Sequence, residues 1–453
     1  MSGRVRGSIL VAVLIAGAGC RSAGTPPPIV EPPLEPPPAA APPPPSIRPT
    51  PPPRAASPPA ANPAARAPER ALVRVALATS GRSLTISSLD PWELLDRDGA
   101  HVLVRAPAGE QWNIERDGRM LRAGRADGLH TDWVAGPVVA RLADTGVLVE
   151  NGKRYRGELH VSAADSGLVI VNRLPLEDYL LGVVPLEIGP RAPAESAAVQ
   201  AQAVAARSYA DVRIGAGTSV SYDLTSTVLD QVYGGVDAET AVGTKAVEST
   251  RGLVLKYAGR VVSAPYHSSC GGVTAEPQEV WHSDSVPYLK SVSDRIPGTD
   301  RYYCDIAPNF QWMRTFTASQ LDADIARYLA SYTSVPGGTP GTARDVSVAS
   351  RTPSGRVGLL TITTSRGNFA LRGNDIRFVL RAPSGEILNS TYFSVETTMG
   401  PDGRLAALVV HGTGNGHGVG MCQWGAIGRA RAGQDFRTIL ATYYPGTTVE
   451  PIE

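Results

Sequence analysis

Residues 173–189 read RLPLEDYLLGVVPLEIG, and the chain changes character there. Short β-branched segments precede the stretch, and alanine-rich helical segments follow it. Three carboxylates lie within it, and one, Glu187, stands between Leu186 and Ile188, two residues after Pro185. A carboxylate among apolar neighbours is either paired or holds its proton more tightly than usual. The second case supplies a general acid at neutral pH. Glu177 and Asp178 are expected to cap the start of the short helix EDYLLGVV.

Working outward, LVRVALA (72–78), HVLVRA (101–106), VVARLAD (138–144), RYRGELHVSAA (154–164) and GLVIVNR (167–173) are β-branched and broken by Gly, Asp and Ser. They predict a β-rich layer over 71–165. On the other side, PAESAAVQAQAVAARSYADVRI (193–214) is the clearest helix, with proline in its first turn and Glu195 behind it. DAETAVGTKAVESTRG (237–252) is a second helix ending at Gly252, and LVLKYAGRVV is a hairpin turning at AGR. SQLDADIARYLASY is a third helix, with Ser319 as N-cap and apolar residues recurring every four positions. Strands return over 344–397, so 305–400 is a candidate inserted α/β subdomain within a core spanning 166–453. The fold class is α+β, mixed and β-rich, with a central helical segment that would form a groove.

The chain has 453 residues, 42% hydrophobic residues and a formal net charge of +1. No strong basic field exists to attract nucleic acid, whereas a neutral polymer such as a glycan is compatible. The first twenty residues carry Arg4 and Arg6, an apolar run and GAGC at 17–20, which reads as an export signal. GAGC resembles the bacterial lipoprotein box, making Cys20 a candidate lipidation site; cleavage nearby to give a soluble protein is the alternative. Residues 21–70 hold 20 of the 39 prolines and read as a disordered, semi-rigid tether. The expected location is the periplasm or cell envelope, with a lipid anchor to a membrane.

Beyond Cys20 there are Cys270, Cys304 and Cys422. In an oxidising compartment a Cys270–Cys304 disulfide would leave one thiol over. The rival is a metal site: His267 and Cys270, three apart in HSSCGG, with Cys304, Cys422 or His282 completing four ligands. In AVAARSYA, Gln200, Ala203 and Arg207 share a helix face, and with Tyr209 they are candidates to border a sugar groove. HGTGNGHGVGMCQWGA (411–426) has five glycines in its first ten residues, which permit tight turns and close backbone approach. Around them, His411, His417 and Gln423 are candidates to hold substrate hydroxyls, and Trp424 to stack on a pyranose. The loop lacks the lysine and Ser/Thr of a phosphate-binding motif.

Three segments together resemble the stage II sporulation protein D / LytB family of bacterial cell-wall proteins: LPLEDYLLGVVPLEIG with AAVQAQAVAARSYA, YHSSCGGVTAEPQEVW with PYLKSV, and HGTGNGHGVGMCQWGA. The resemblance runs from about 70 to 450, taking 71–165 as the N-terminal part of the family domain and 166–453 as its catalytic core. It implies a lytic transglycosylase that cuts MurNAc–GlcNAc bonds in peptide-stripped peptidoglycan and leaves 1,6-anhydro-MurNAc ends, with Glu187 as the catalytic carboxylate. No cofactor is required by that chemistry. Some relatives hold zinc near the segment of His267 and Cys270, so a structural zinc is a further expectation. The family also includes non-enzymatic enhancers of an amidase, so the expected partners are glycan strands and, on the second reading, a cell-wall amidase.

Overall fold

Alternation at period two organises the first hundred residues of the computed structural model, which describes residues 72–142, 146–216, 221–382, 384–401 and 403–452. Cys20, the export signal and the proline tract lie outside the described residues. Leu84, Ile86 and Ser88 point inward from one strand, and Leu159 and Val161 from another. Their inward faces build two sheets. In the seven-stranded sheet the order is Leu224–Thr225, Leu72–Gly81, Gly167–Pro175, Glu158–Ala164, Val138–Leu142, Trp92–Leu95, Val102–Ala106. In the six-stranded sheet it is Lys153–Tyr155, Leu148–Glu150, Leu84–Ser88, Trp112–Asp117, Met120–Gly124, Val134–Ala135. Trp92, Trp112, Leu121 and Ile170 fill the space between the sheets.

The pair Leu72–Gly81 and Gly167–Pro175 runs on into a second core. Val73, Val75 and Leu174 belong to the helical cluster, while Leu168 and Ile170 belong to the β cluster. The β-rich layer therefore shares two strands with the helical part, and this fixes where helix α1 (Leu176–Ile188) begins. No side chain caps α1: Pro175 occupies the N-cap position. Glu177, expected as a cap, instead makes a bidentate ion pair with Arg207 at 2.8 Å for each contact.

Helix α2 (Ser196–Gly215) is the centre of the main core. Ala198, Ala201, Ala203, Ala205, Ala206 and Ala210 are all buried. Alanine on every side suits a helix surrounded by neighbours at close range. Those neighbours are α1, α3 (Ala241–Ser249), the strand Leu253–Tyr257, and, after a short α4 (Pro277–Val280) and two further helices described next, α7 (Gln423–Arg431) and α8 (Phe436–Tyr443). The hairpin turn falls where expected, with Ala258 and Gly259 both at positive φ.

A third cluster collects Phe316, Leu321, Ile325, Leu360, Ile362, Phe369, Leu408 and Val410. It is built from two three-stranded sheets, α5 (Ala318–Tyr328) and α6 (Asp375–Val379). Thr317, not Ser319, caps α5 by accepting from Gln320 N. The chain leaves the main core at Phe310 and re-enters at Gly414, whose N–H donates to Phe310 O at 2.8 Å. The inserted body thus spans 311–413, because its last strand, Leu405–Thr413, pairs with its first, Gln311–Thr317.

Arg207 is fully buried, donating to Glu177 and to the carbonyls of Leu253 and Val247. It ties α1, α2, α3 and the next strand together and lines no groove, which corrects its assignment as a substrate-binding residue. Removing one partner of a buried pair leaves the other charge uncompensated. Arg207→Ala should therefore destabilise the protein by about 3–5 kcal/mol, measured by denaturant unfolding.

Candidate active site

Glu187 occupies the last turn of α1, which stops at Gly189, where φ is 75°. Its Oε1 accepts the Val232 N–H at 2.6 Å, and Tyr266 and Gln423 also hydrogen-bond its carboxylate. Among the described residues, no arginine or lysine is one of the groups that hold it. Burial pushes its pKa up to about 7, against the three hydrogen bonds, which favour the ionised form. The result is a carboxyl group whose two protonation states are nearly balanced at neutral pH, held only by neutral donors.

Each donor arrives from a different part of the chain. Val232 follows Asp230, which accepts from Thr225 N and from the Tyr209 hydroxyl. Tyr209, expected to border a groove, therefore props the segment that carries Val232. Tyr266 accepts from Gln231 Nε2 at 2.9 Å, and Gln231 Oε1 accepts from the Tyr179 hydroxyl. Burial and the nearby Glu187 keep the Tyr266 phenol protonated, hence a donor. Gln423 opens α7 and donates to Gln202 Oε1 at 3.2 Å; Gln202 is fully buried and its Nε2 has no partner.

Gln202, not Gln200, is thus the α2 glutamine linked to the acid, through Gln423. Gln200 donates to Ser249 on α3. Being two apart, the two face different sides of the helix, and the choice between them depends on which side of α2 meets α7. Tyr266 and Gln231 were missed as well. A lone tyrosine or glutamine carries no spacing signal, and their role follows only from where the backbone places them.

A two-residue parallel ladder creates the site: Tyr266 pairs with Met421 and His267 with Cys422. His417 is held against it, with Nε2 donating to Tyr266 O at 2.8 Å and Nδ1 accepting from Val419 N at 3.1 Å. Burial, with Arg377 nearby, pushes its pKa down to about 3, so the imidazole is neutral. Its ring lies 5.1 Å from that of Trp281 and 5.4 Å from that of His267. His417 consequently positions the Tyr266 backbone. Trp424 is half-buried, and Arg191 covers its ring at 4.9 Å. His411 stands away from this network, exposed on the inserted body and 3.7 Å from Glu396.

Below the ladder, Cys270, Cys304, Cys422 and Asp294 are buried with their ligand atoms within 4.8 Å of one another. The cysteines are free thiols, and Cys270 Sγ lies 3.5 Å from Cys304 Sγ and 3.8 Å from Asp294 Oδ2. This replaces the disulfide alternative, since bonded sulfurs stand about 2 Å apart. Ligands around tetrahedral zinc at thiolate distances would stand about 3.8 Å apart, so the donor set fits that ion. His267 is not part of it: its Nδ1 bonds Val419 O, and the fourth donor is Asp294. His282 pairs with Asp375 instead. Asp294 is fixed from behind by Arg429 and by the Tyr443 hydroxyl at 2.7 Å.

Comparison with known proteins places the chain in a family. The family described as stage II sporulation protein matches residues 164–257, and a domain of unknown function (DUF8618) matches 299–420. Stage II sporulation protein D of Bacillus subtilis is 31% identical over 294 residues, covering 62% of this chain and 75% of that protein. The amidase enhancer of Bacillus subtilis is 32% identical over 304 residues, covering 60% of this chain and 40% of its own length. An uncharacterized protein of Brachyspira hyodysenteriae is 31% identical over 300 residues, covering 66% of this chain and 73% of its own. With the helix carrying Glu187 inside the matched region, the chain belongs to the stage II sporulation protein D family.

Proposed function

We propose that this protein is a lytic transglycosylase of peptidoglycan, exported and tethered to a membrane through Cys20 and the 21–70 spacer, with Glu187 as its single acid and base. The observation that supports this most is a half-buried carboxyl group raised to about 7 that, among the described residues, has no cationic partner. Glu177, by contrast, is paired with Arg207 and serves the fold.

In this reading, protonated Glu187 donates its proton to the glycosidic oxygen as the C1–O bond of MurNAc breaks. The resulting Glu187 carboxylate is stabilised by Val232 N–H, Tyr266 and Gln423, whose hydrogen bonds strengthen as charge develops. The C6 hydroxyl of the same MurNAc then attacks C1, and Glu187 takes up its proton. The acid is regenerated, no water is consumed, and the sugar end is 1,6-anhydro-MurNAc. One carboxyl group suffices, unlike the paired carboxylates of ordinary glycosidases.

A second reading is favoured by the relative named amidase enhancer: binding of glycan strands that recruits or stimulates an amidase, without need of Glu187. Purified protein and its Glu187→Gln variant, incubated with peptide-free strands, separate the two by mass spectrometry. Anhydro ends from the parent alone support the transglycosylase; strand binding without cleavage by either protein supports the recruitment reading. The transglycosylase should also lose kcat/KM as pH rises through about 7, where Glu187 gives up its proton.

The same shift has a stability consequence. Because the folded pKa lies above the unfolded value, stability falls as pH rises from the unfolded pKa through about 7, by roughly 3 kcal/mol in all. Glu187→Gln should therefore raise Tm relative to the parent at pH 8, with the gain shrinking towards pH 5.

We also propose that Cys270, Cys304, Cys422 and Asp294 hold a structural zinc ion. Four buried protein donors form a closed site, whose ion would lock the Cys270 loop to the start of α7 and support the position of Gln423. Elemental analysis should find about one zinc per chain. Cys304→Ser should lower zinc content and Tm together, whereas His267→Asn should leave zinc content unchanged.

A further inference from the structure

The inserted body carries a cleft of about 600 Å³ that includes none of the groups around Glu187. Its size lies in the range of small-ligand sites. Two aromatic side chains form part of its wall, and both depend on glycine. Trp312 lies so close over Gly412 that any side chain there would collide with the indole, and Trp312 Nε1 is anchored on Gly414 O at 2.8 Å. The Tyr392 ring rests against Gly355, with atoms 3.2–3.3 Å from where a Cβ would stand. Gly412 is one of the glycines of the 411–420 run, and its requirement is this close packing.

Beside the rings is an exposed cation. Arg351 NH1 donates to Gly355 O at 2.9 Å and NH2 to Phe393 O at 3.0 Å. Those bonds fix the guanidinium at the cleft, and among the described residues it pairs with no carboxylate. A guanidinium has five N–H donors, so three remain for a ligand. Flat aromatic walls suit the C–H face of a pyranose, and a fixed, unneutralised guanidinium suits a carboxylate.

We propose that this cleft is a subsite for a sugar bearing a free carboxylate, here the lactyl carboxylate of a MurNAc unit along the same glycan strand. The inference rests on the glycan reading above. MurNAc carries that carboxylate only when its peptide has been removed; while the peptide is attached, the group is a neutral amide. Arg351 would thus read whether the strand is peptide-free, away from the bond being cut. The strand Leu405–Thr413 that lines the cleft continues into the acid's surroundings: Thr413 lies four residues before His417, about 14 Å at full extension, and His417 bonds the Tyr266 carbonyl.

The test is calorimetric binding to the full protein carrying Glu187→Gln, which prevents turnover. Two probes are compared: peptide-free glycan strands, and the same strands with their lactyl carboxylates converted to methylamides. The free acid should bind about tenfold tighter. Arg351→Gln should abolish that preference, and Trp312→Ala should weaken both probes by a similar factor. Equal binding of acid and amide strands to the protein with Arg351 intact would overturn the proposal without recourse to any change in the cleft. Survival of the preference in Arg351→Gln would also overturn it. If the parent protein cleaves no strand yet shows an Arg351-dependent acid preference, the transglycosylase reading fails and the subsite stands. Cleavage without any acid preference has the opposite meaning.

Discussion

The parallel pairing of Tyr266–His267 with Met421–Cys422 is the contact on which the rest of the site depends. It joins segments more than 150 residues apart, with the whole inserted body looped out between them. One side of the ladder brings Tyr266 and Gln423 onto Glu187; the other brings Cys422 to Cys270. A short ladder contributes little by itself, and closing so long a loop is costly in entropy. The buried cysteine and Asp294 cluster beneath it, fixed in turn by Arg429 and Tyr443, supplies what the ladder lacks. Acid positioning and the proposed ion site are thereby one structural problem.

Two glutamates ten residues apart on α1 show how environment divides roles. Glu177 meets Arg207 in a bidentate pair and serves the fold. Glu187 meets a backbone N–H, a phenol and an amide, and burial then holds its proton near neutrality. The local sequence marks one as a helix-start acid and the other as an acid between apolar residues, but names the partner of neither. Whether a cation reaches each one is settled by packing: α2 sends Arg207 to Glu177 in the first turn of α1, while its Gln202 meets Gln423, which in turn bonds Glu187.

The inserted body adds a second surface to a chain whose candidate site lies elsewhere. It joins the main core at Phe310 and Gly414, adjacent in space through one hydrogen bond. Its aromatic cleft and the glycine-rich loop share one strand and its continuation. The glycines at 411–420 therefore serve two ends: room for Trp312 at Gly412, and the turns that return the chain to the ladder.

Much of the architecture could be read from residue order alone, because it rests on local rules. Period-two alternation marked the strands of the β layer; the alanine run marked α2, and apolar recurrence marked α5. Glu187 stood out as well, as an acid flanked by leucine and isoleucine, but the resemblance to the family, not its neighbours, is what pointed to it as a catalytic carboxylate. Tertiary structure decided what depends on distant partners. It buried Arg207 instead of exposing it, chose Gln202 over Gln200, and gave Tyr266 and Gln231 their places beside the acid. It also put Asp294 in the cysteine cluster where His267 had been expected. A carboxylate's partner and a cysteine's neighbours are set by which surfaces pack together, and packing across 150 residues leaves no periodic trace in the chain.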